Sequence, residues 1–126
     1  MPNKILIADD SKDQRDLHKD FLGEEFSKFE LEFFEDGTSL EERLNGNVND
    51  VKLVITDNNM PRITGIEIIK RYSTAPKFSE IPFILYYDGN KEIGEEAMKN
   101  GAFGYILKAG DLKDYFETIK RALRRD

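Results

Sequence analysis

The sequence predicts an α/β fold: a doubly wound parallel sheet of five strands in the order 2-1-3-4-5, with five helices. Three observations predict it. Short apolar runs and amphipathic stretches alternate along the whole chain, as βα units in series do. The second run, Phe29-Glu30-Leu31-Glu32-Phe33, alternates apolar with acidic residues, which marks a strand with one wet face at a sheet edge. The first and third runs end in aspartates, at the carboxyl edge where an open α/β sheet changes direction and binds ligands.

Each element has its own signal. Ile5 to Ala8 reads as a buried strand, and Ser11 as the cap of a first helix carrying Leu17, Phe21 and Leu22, with Gly23 near its end. After the edge strand, Asp36-Gly37 supplies turn chemistry. A short helix around Leu40 to Leu44 should stop at Asn45-Gly46-Asn47 in a left-handed conformation. Val51 to Thr56 is the third strand, ending at Asp57. Pro61 and Gly65 punctuate the loop before a third helix with Ile66, Ile69 and Tyr72 on one face. Pro76 and Pro82 bracket a loop, and Phe83 to Tyr87 is the fourth strand. Ile93, Ala97 and Met98 mark a fourth helix that Asn100-Gly101 ends. Phe103 to Leu107 is the fifth strand. Leu112, Tyr115, Phe116, Ile119 and Leu123 trace the fifth helix. Right-handed crossovers then limit the topology.

Composition excludes several classes. The 126 residues suit one domain, and no repeat or linker divides them. A net charge of −6 argues against direct nucleic-acid binding. With no cysteine there is no disulfide framework, thiolate site or cysteine nucleophile. Met1-Pro2-Asn3-Lys4-Ile5 lacks a signal peptide's apolar stretch, and Phe83 to Tyr87 is too short to span a bilayer, so a cytoplasmic location is expected. His18, the lone histidine, reads as a surface or boundary residue. Glu24-Glu25 and the basic stretch from Lys120 to Arg125 read as solvated faces, the latter complementing a helix dipole.

Asp9, Asp10 and Asp57 converge at the switch point, and Lys108 follows the fifth strand to the same edge. Two unit charges about 4 Å apart repel by on the order of 4 kcal/mol at an effective dielectric near 20. Such a pocket must raise a carboxyl pKa or bind a cation. Oxygen ligands without Cys or His suit a hard ion such as Mg²⁺. Aspartates that merely cap turns are the plainer alternative for Asp9 and Asp10. Asp57 at the neighbouring strand end favours the functional reading.

The chain resembles the receiver domains of two-component response regulators, which have the flavodoxin-like, CheY-like topology, along essentially its whole length, 1–126. The likeness rests on Ile5-Leu6-Ile7-Ala8-Asp9-Asp10, on Asp57-Asn58-Asn59-Met60-Pro61 with Gly65, and on Gly101-Ala102 leading to Tyr105 and Lys108. The resemblance implies phosphorelay signalling. Asp57 would accept a phosphoryl group from a phosphohistidine on a sensor kinase or phosphotransfer protein. Asp10, Asp57 and the Asn59 carbonyl would ligate Mg²⁺, and Asp9 would position the ion through water. Lys108 would contact the phosphoryl oxygens, and Tyr105 would be the aromatic that turns inward. The resemblance also implies a downstream partner on the face of helix four, strand five and helix five, and leaves a homodimer open.

Two positions depart from the family pattern. Ser or Thr at the end of strand four is replaced by Tyr87 counting from Pro82, or by Tyr86 counting back from Lys108. Such a ring can fill the space into which Tyr105 should turn. The proline expected after Lys108 is replaced by Ala109-Gly110. A cis bond to alanine costs roughly 2.5–4 kcal/mol, so that loop is trans or strained. Three other readings compete. One is a degenerate receiver that binds a partner without phosphoryl transfer. Another is an aspartate phosphatase, which lacks its second acid because Asn59 stands there. The third is a flavin domain, whose phosphate Asp9-Asp10 would repel.

Overall fold

The computed structural model describes residues 3–124; the part of the N-terminal reading that concerns Met1 and Pro2, and Arg125 of the basic stretch, lie outside them. The elements run β1 (Lys4–Ala8), α1 (Lys12–Glu25), β2 (Glu30–Phe34), α2 (Gly37–Leu44), β3 (Val51–Asp57), α3 (Gly65–Tyr72), a 3-10 turn (Pro76–Phe78), β4 (Phe83–Tyr87), α4 (Lys91–Lys99), β5 (Gly104–Leu107) and α5 (Leu112–Leu123). The sheet is parallel throughout, in the order β2-β1-β3-β4-β5. Both the strand order and the five helices agree with the sequence prediction.

The pleat divides the core in two. Ile5, Ile7, Leu53, Ile55, Ile84, Tyr86 and Ile106 face α1 and α5, with Leu22, Tyr115 and Ile119. Leu6, Ala8, Val54, Leu85 and Tyr87 face the opposite side, with Leu40, Ile68, Ile69 and Ala97 from α2, α3 and α4. Residues two apart on a strand share a face. Asp9 and Asp57 therefore continue the α1/α5 face beyond Ile7 and Ile55, and Lys108 continues it beyond Ile106.

Several local expectations are corrected. β2 starts at Glu30 rather than Phe29, and Glu32 on its wet face pairs with Lys4 at 2.8 Å and Arg43 at 2.9 Å instead of standing free in water. Asp36 caps α2 by accepting from the Ser39 amide at 2.8 Å, so Gly37 opens a helix and is not a turn residue. A Cβ at Gly37 would lie 2.1 Å from Ile63, which is why only glycine fits. The left-handed stop expected at Asn45-Gly46-Asn47 is absent: Asn45 is right-handed at φ −79°. Among the described residues the positive φ values belong to Arg62, Gly89 and Gly101.

Helix α3 buries Gly65, Ile68 and Ile69; Ile66 and Tyr72 are half-buried, so Ile68 is the missed core residue. Leu17, Met98 and Leu112, expected on buried stripes, are exposed. His18, expected near the surface, is buried. Near the C-terminus, Lys120 pairs with Glu25 at 3.2 Å, which ties α5 to the acidic end of α1.

Candidate functional site

The carboxyl ends of β1, β3 and β5 assemble the site. β1 delivers Asp9 and Asp10, β3 delivers Asp57, and the chain leaving β5 delivers Lys108. One oxygen from each of Asp9, Asp10 and Asp57 lies within 4.8 Å of the others. Asp9 and Asp57 are buried and Asp10 is exposed. The set predicted from sequence is thus brought together. Three carboxylates without nitrogen or sulfur donors fit a hard, oxygen-seeking divalent ion. The Asn59 carbonyl, expected to join them, lies on the exposed loop after β3 and accepts no hydrogen bond from the described residues.

Local bonds fix these side chains. Asp9 Oδ1 accepts from the Ser11 amide at 2.9 Å, and the Asp9 carbonyl accepts from Arg15 Nη1 at 2.7 Å. Ser11 in turn caps α1 as its sequence predicts. A Cβ at Gly65 would come within 2.2 Å of the Asp57 carbonyl oxygen, so glycine allows α3 to start against the end of β3. Asn58 Oδ1 accepts from the Ile66 amide at 3.1 Å and pins the loop to α3.

Lys108 Nζ sits 3.1 Å from Asp9 Oδ2 and 3.1 Å from Asp57 Oδ1. Asp9 Oδ2 makes this contact as an ion pair, off the direction of a good hydrogen bond. Burial raises the Asp57 carboxyl and the negative charge of Asp9 raises it further; Lys108 opposes both, and the result is about 6. Burial works to lower the Lys108 ammonium, but the charges of Asp57 and Asp9 outweigh it and hold the pKa above its usual value. The pocket therefore tolerates its crowded acids by means of a partly buried cation.

Register decides where the two tyrosines go. Tyr86 pairs with Asp57 on one side and Ile106 on the other, facing α1 and α5. Its hydroxyl donates to Gln14 Oε1 at 3.0 Å, and Lys108 Nζ lies 5.6 Å from its ring centroid. Tyr87 faces the other core and is fully buried. Its hydroxyl lies against the Gly94 amide without completing a hydrogen bond. Tyr87 packs at 6.0 Å from the Tyr105 ring, and Tyr105 lies so close to Gly94 that a Cβ there would meet it at 2.4 Å. The loop after Lys108 contains no cis bond, and Gly110 donates to the Leu107 carbonyl at 3.0 Å.

From sequence, Tyr86 is an alternative occupant of the Ser/Thr position, with no contact to Lys108 expected, and His18 is expected near the surface. Counting the pleat from Ile84 to Tyr86 and from Ile106 to Lys108 would have put Tyr86 and Lys108 on one face. His18 Nδ1 lies 2.7 Å from the Tyr115 hydroxyl, and its ring meets the Tyr86 ring edge at 4.5 Å. Burial, and secondarily the charge of Lys108, pushes the imidazole down to about 3.

A family model described as the response regulator receiver domain matches residues 5–120. The chain is 36% identical over 106 residues to the chemotaxis protein CheY1 of Helicobacter pylori, covering 83% of this chain and 84% of that one. It is 28% identical over 121 residues to the two-component response regulator ORR5 of Oryza sativa, covering 95% and 88%. A receiver domain crystal structure from Clostridium thermocellum superposes with a TM-score of 0.83 at 27% identity, covering 98% and 95%.

Proposed function

The chain belongs to the response regulator receiver domain family, whose members are signalling domains of two-component systems, and we propose that it accepts a phosphoryl group on Asp57. The observation that carries the reading is the buried Asp57 carboxylate, 3.1 Å from Lys108 and within a few ångströms of Asp9 and Asp10. Receiver domains generally bind Mg²⁺, and Asp10, Asp57 and the Asn59 carbonyl would hold it here, with Asp9 acting through water. The ion supplies charge neutralisation for the transferred oxygens. Asp57 supplies the attacking oxygen: its bond to phosphorus forms as the bond from phosphorus to the donor breaks. Lys108 neutralises charge on the equatorial oxygens, and its partial burial makes that charge less screened than in bulk water. The donor is a phosphohistidine on a sensor kinase or phosphotransfer protein.

The readout is unusual. Tyr87 supports this part of the proposal, because its ring fills the core beside Tyr105 and its hydroxyl points toward α4 rather than the pocket. Inward rotation of Tyr105 then requires Tyr87 to move first. A downstream partner would contact the face built from α4, β5 and α5. The same observation favours a second reading, in which the domain binds its partner without phosphorylation.

Incubation with Mg²⁺ and acetyl phosphate, followed by intact mass measurement, separates the two. The first reading expects one added phosphoryl group, lost in Asp57→Ala and on chelation of the metal. No gain, or a gain that survives in Asp57→Ala, overturns it.

A further inference from the structure

We propose that Tyr86 is a positioning residue for phosphoryl transfer, its ring face holding the Lys108 ammonium over Asp57. The inference rests on the reading of Asp57 as acceptor and Lys108 as the cation on the transferred oxygens.

The sheet register brings these groups together. Tyr86 stands beside Asp57 on β3 and beside Ile106 on β5, and Lys108 follows two residues later on the same face. The ammonium lies 5.6 Å from the ring centroid, within reach of the ring's negative face. The ring cannot easily drift. Its hydroxyl donates to Gln14 at 3.0 Å, the His18 ring packs edge-on at 4.5 Å, and Tyr115 packs edge-on at 6.0 Å. The Lys108 side chain is 11% exposed, so the attraction acts in a largely dry setting.

The other groups holding Lys108 are the wrong ones for a fixed position. They are the carboxylates of Asp9 and Asp57, each at 3.1 Å, and both belong to the set that would bind a divalent ion. A cation shared by those carboxylates weakens their pull on the lysine. The backbone around Lys108 is held by its amide's bond to the Tyr87 carbonyl at 2.8 Å and by the Gly110 bond to Leu107 at 3.0 Å, but these do not fix the ammonium at the end of a flexible four-carbon stem. The neutral face of Tyr86 is the contact that metal binding leaves in place. Orientation of a charged group matters most when charge develops, so loss of the ring should slow the reaction more than it weakens ground-state binding.

The test compares Tyr86→Leu with Tyr86→Phe in acetyl phosphate labelling at saturating Mg²⁺. Tyr86→Leu should lower the maximal rate about tenfold, and Tyr86→Phe, which loses only the bond to Gln14, about twofold. The half-saturating Mg²⁺ concentration should not move with either. In a Lys108→Ala background, Tyr86→Leu should have no further effect. Equal losses in both backgrounds would mean that the ring acts through general packing, and would overturn the proposal.

A second measurement works without phosphorylation. In NMR spectra of the Mg²⁺-loaded protein, the Lys108 ε-methylene protons should lie upfield of the usual lysine position through the Tyr86 ring current, as those of Lys77 should through Phe78. Tyr86→Phe should keep that shift and Tyr86→Leu should abolish it. An unshifted Lys108 in the unmutated protein defeats the proposal even if Tyr86→Leu does not fold. If the protein takes no phosphoryl group, the acceptor reading fails, and the ring-current shift still decides whether Tyr86 holds Lys108.

Discussion

Tyr86 and Tyr87 are neighbours in the chain and belong to opposite halves of the molecule. Tyr86 lies on the α1/α5 side, among a histidine, a glutamine and a lysine, one strand away from Asp57. Tyr87 lies on the α2–α4 side, in an apolar core, with its hydroxyl short of a partner. A strand's period of two separates them more completely than their adjacency suggests. Substitutions at this one strand end therefore act on two separate environments. The first half handles charge at Asp57, and the second packs against Tyr105.

If the halves differ in this way, truncating each ring should cost differently. Tyr87→Thr leaves a cavity under α4 and should destabilise by about 3–5 kcal/mol in urea unfolding. Tyr86→Leu keeps most of the apolar volume and should cost about 1–2 kcal/mol. Equal costs would mean that the two tyrosines sit in equivalent surroundings. Tyr87→Thr should also free Tyr105, seen as a wider range of Tyr105 ring positions by NMR.

The charged half can be probed by removing its repulsion. The fold pushes the Asp57 carboxyl up from its ordinary value to about 6, through burial and then through Asp9. The folded state thus binds that proton more tightly than the unfolded chain does. Its stability falls as pH rises from about 4 through 6, and the penalty is complete above that. Asp57→Asn should therefore stabilise the metal-free protein at pH 7.5 by about 1–3 kcal/mol while abolishing phosphorylation. A destabilised variant would show that the Lys108 pair outweighs the crowding.

Strand order and pocket were legible because their signals are local. The alternation of Glu30 and Glu32 with apolar residues reports an edge, and aspartates at the ends of β1 and β3 report where those strands meet. The misses arise where packing, not pattern, decides. In α1, Leu17 and Phe21 form one plausible stripe and His18 and Leu22 another, rotated by one residue. Hydrophobicity favours the first, yet the sheet receives the second because Tyr115 and Tyr86 give the imidazole polar and aromatic partners. Likewise, Gly37 reads as a turn from sequence, and its true reason, the approach of Ile63, is a contact 26 residues away that no local pattern holds.

His18 supplies a pH-dependent effect on the charged half that runs in the opposite direction. Its imidazole is held down to about 3 by burial and then by Lys108, below its ordinary value near 6.5. The unfolded chain binds the proton first as pH falls. Stability should therefore decline between pH 6.5 and about 3, by up to ~1.4 kcal/mol per pH unit. Asp57 acts in the opposite direction over part of that window, so the slope is cleanest in an Asp57→Asn background. There, His18→Gln should flatten it. An unchanged slope would mean that another group controls the acid response.

The least effect is expected at Arg62, in the loop that carries Asn59. Its φ of 74° puts a long side chain in the left-handed region, where a non-glycine residue pays about 1–2 kcal/mol. Asparagine adopts this conformation more readily, because its short polar side chain bonds locally. Arg62→Asn should stabilise the protein by about 0.5–1 kcal/mol. The side chain is exposed, and its charge also helps keep the Asp36 carboxyl low, behind the larger contribution from Ser39, so part of the gain is offset. Acceptor chemistry should change little if the loop holds the Asn59 carbonyl in the same place. A gain in stability coupled to a weaker Mg²⁺ response would show that the strained backbone at Arg62 sets the position of that carbonyl, which would tie loop geometry to the charged half of the molecule.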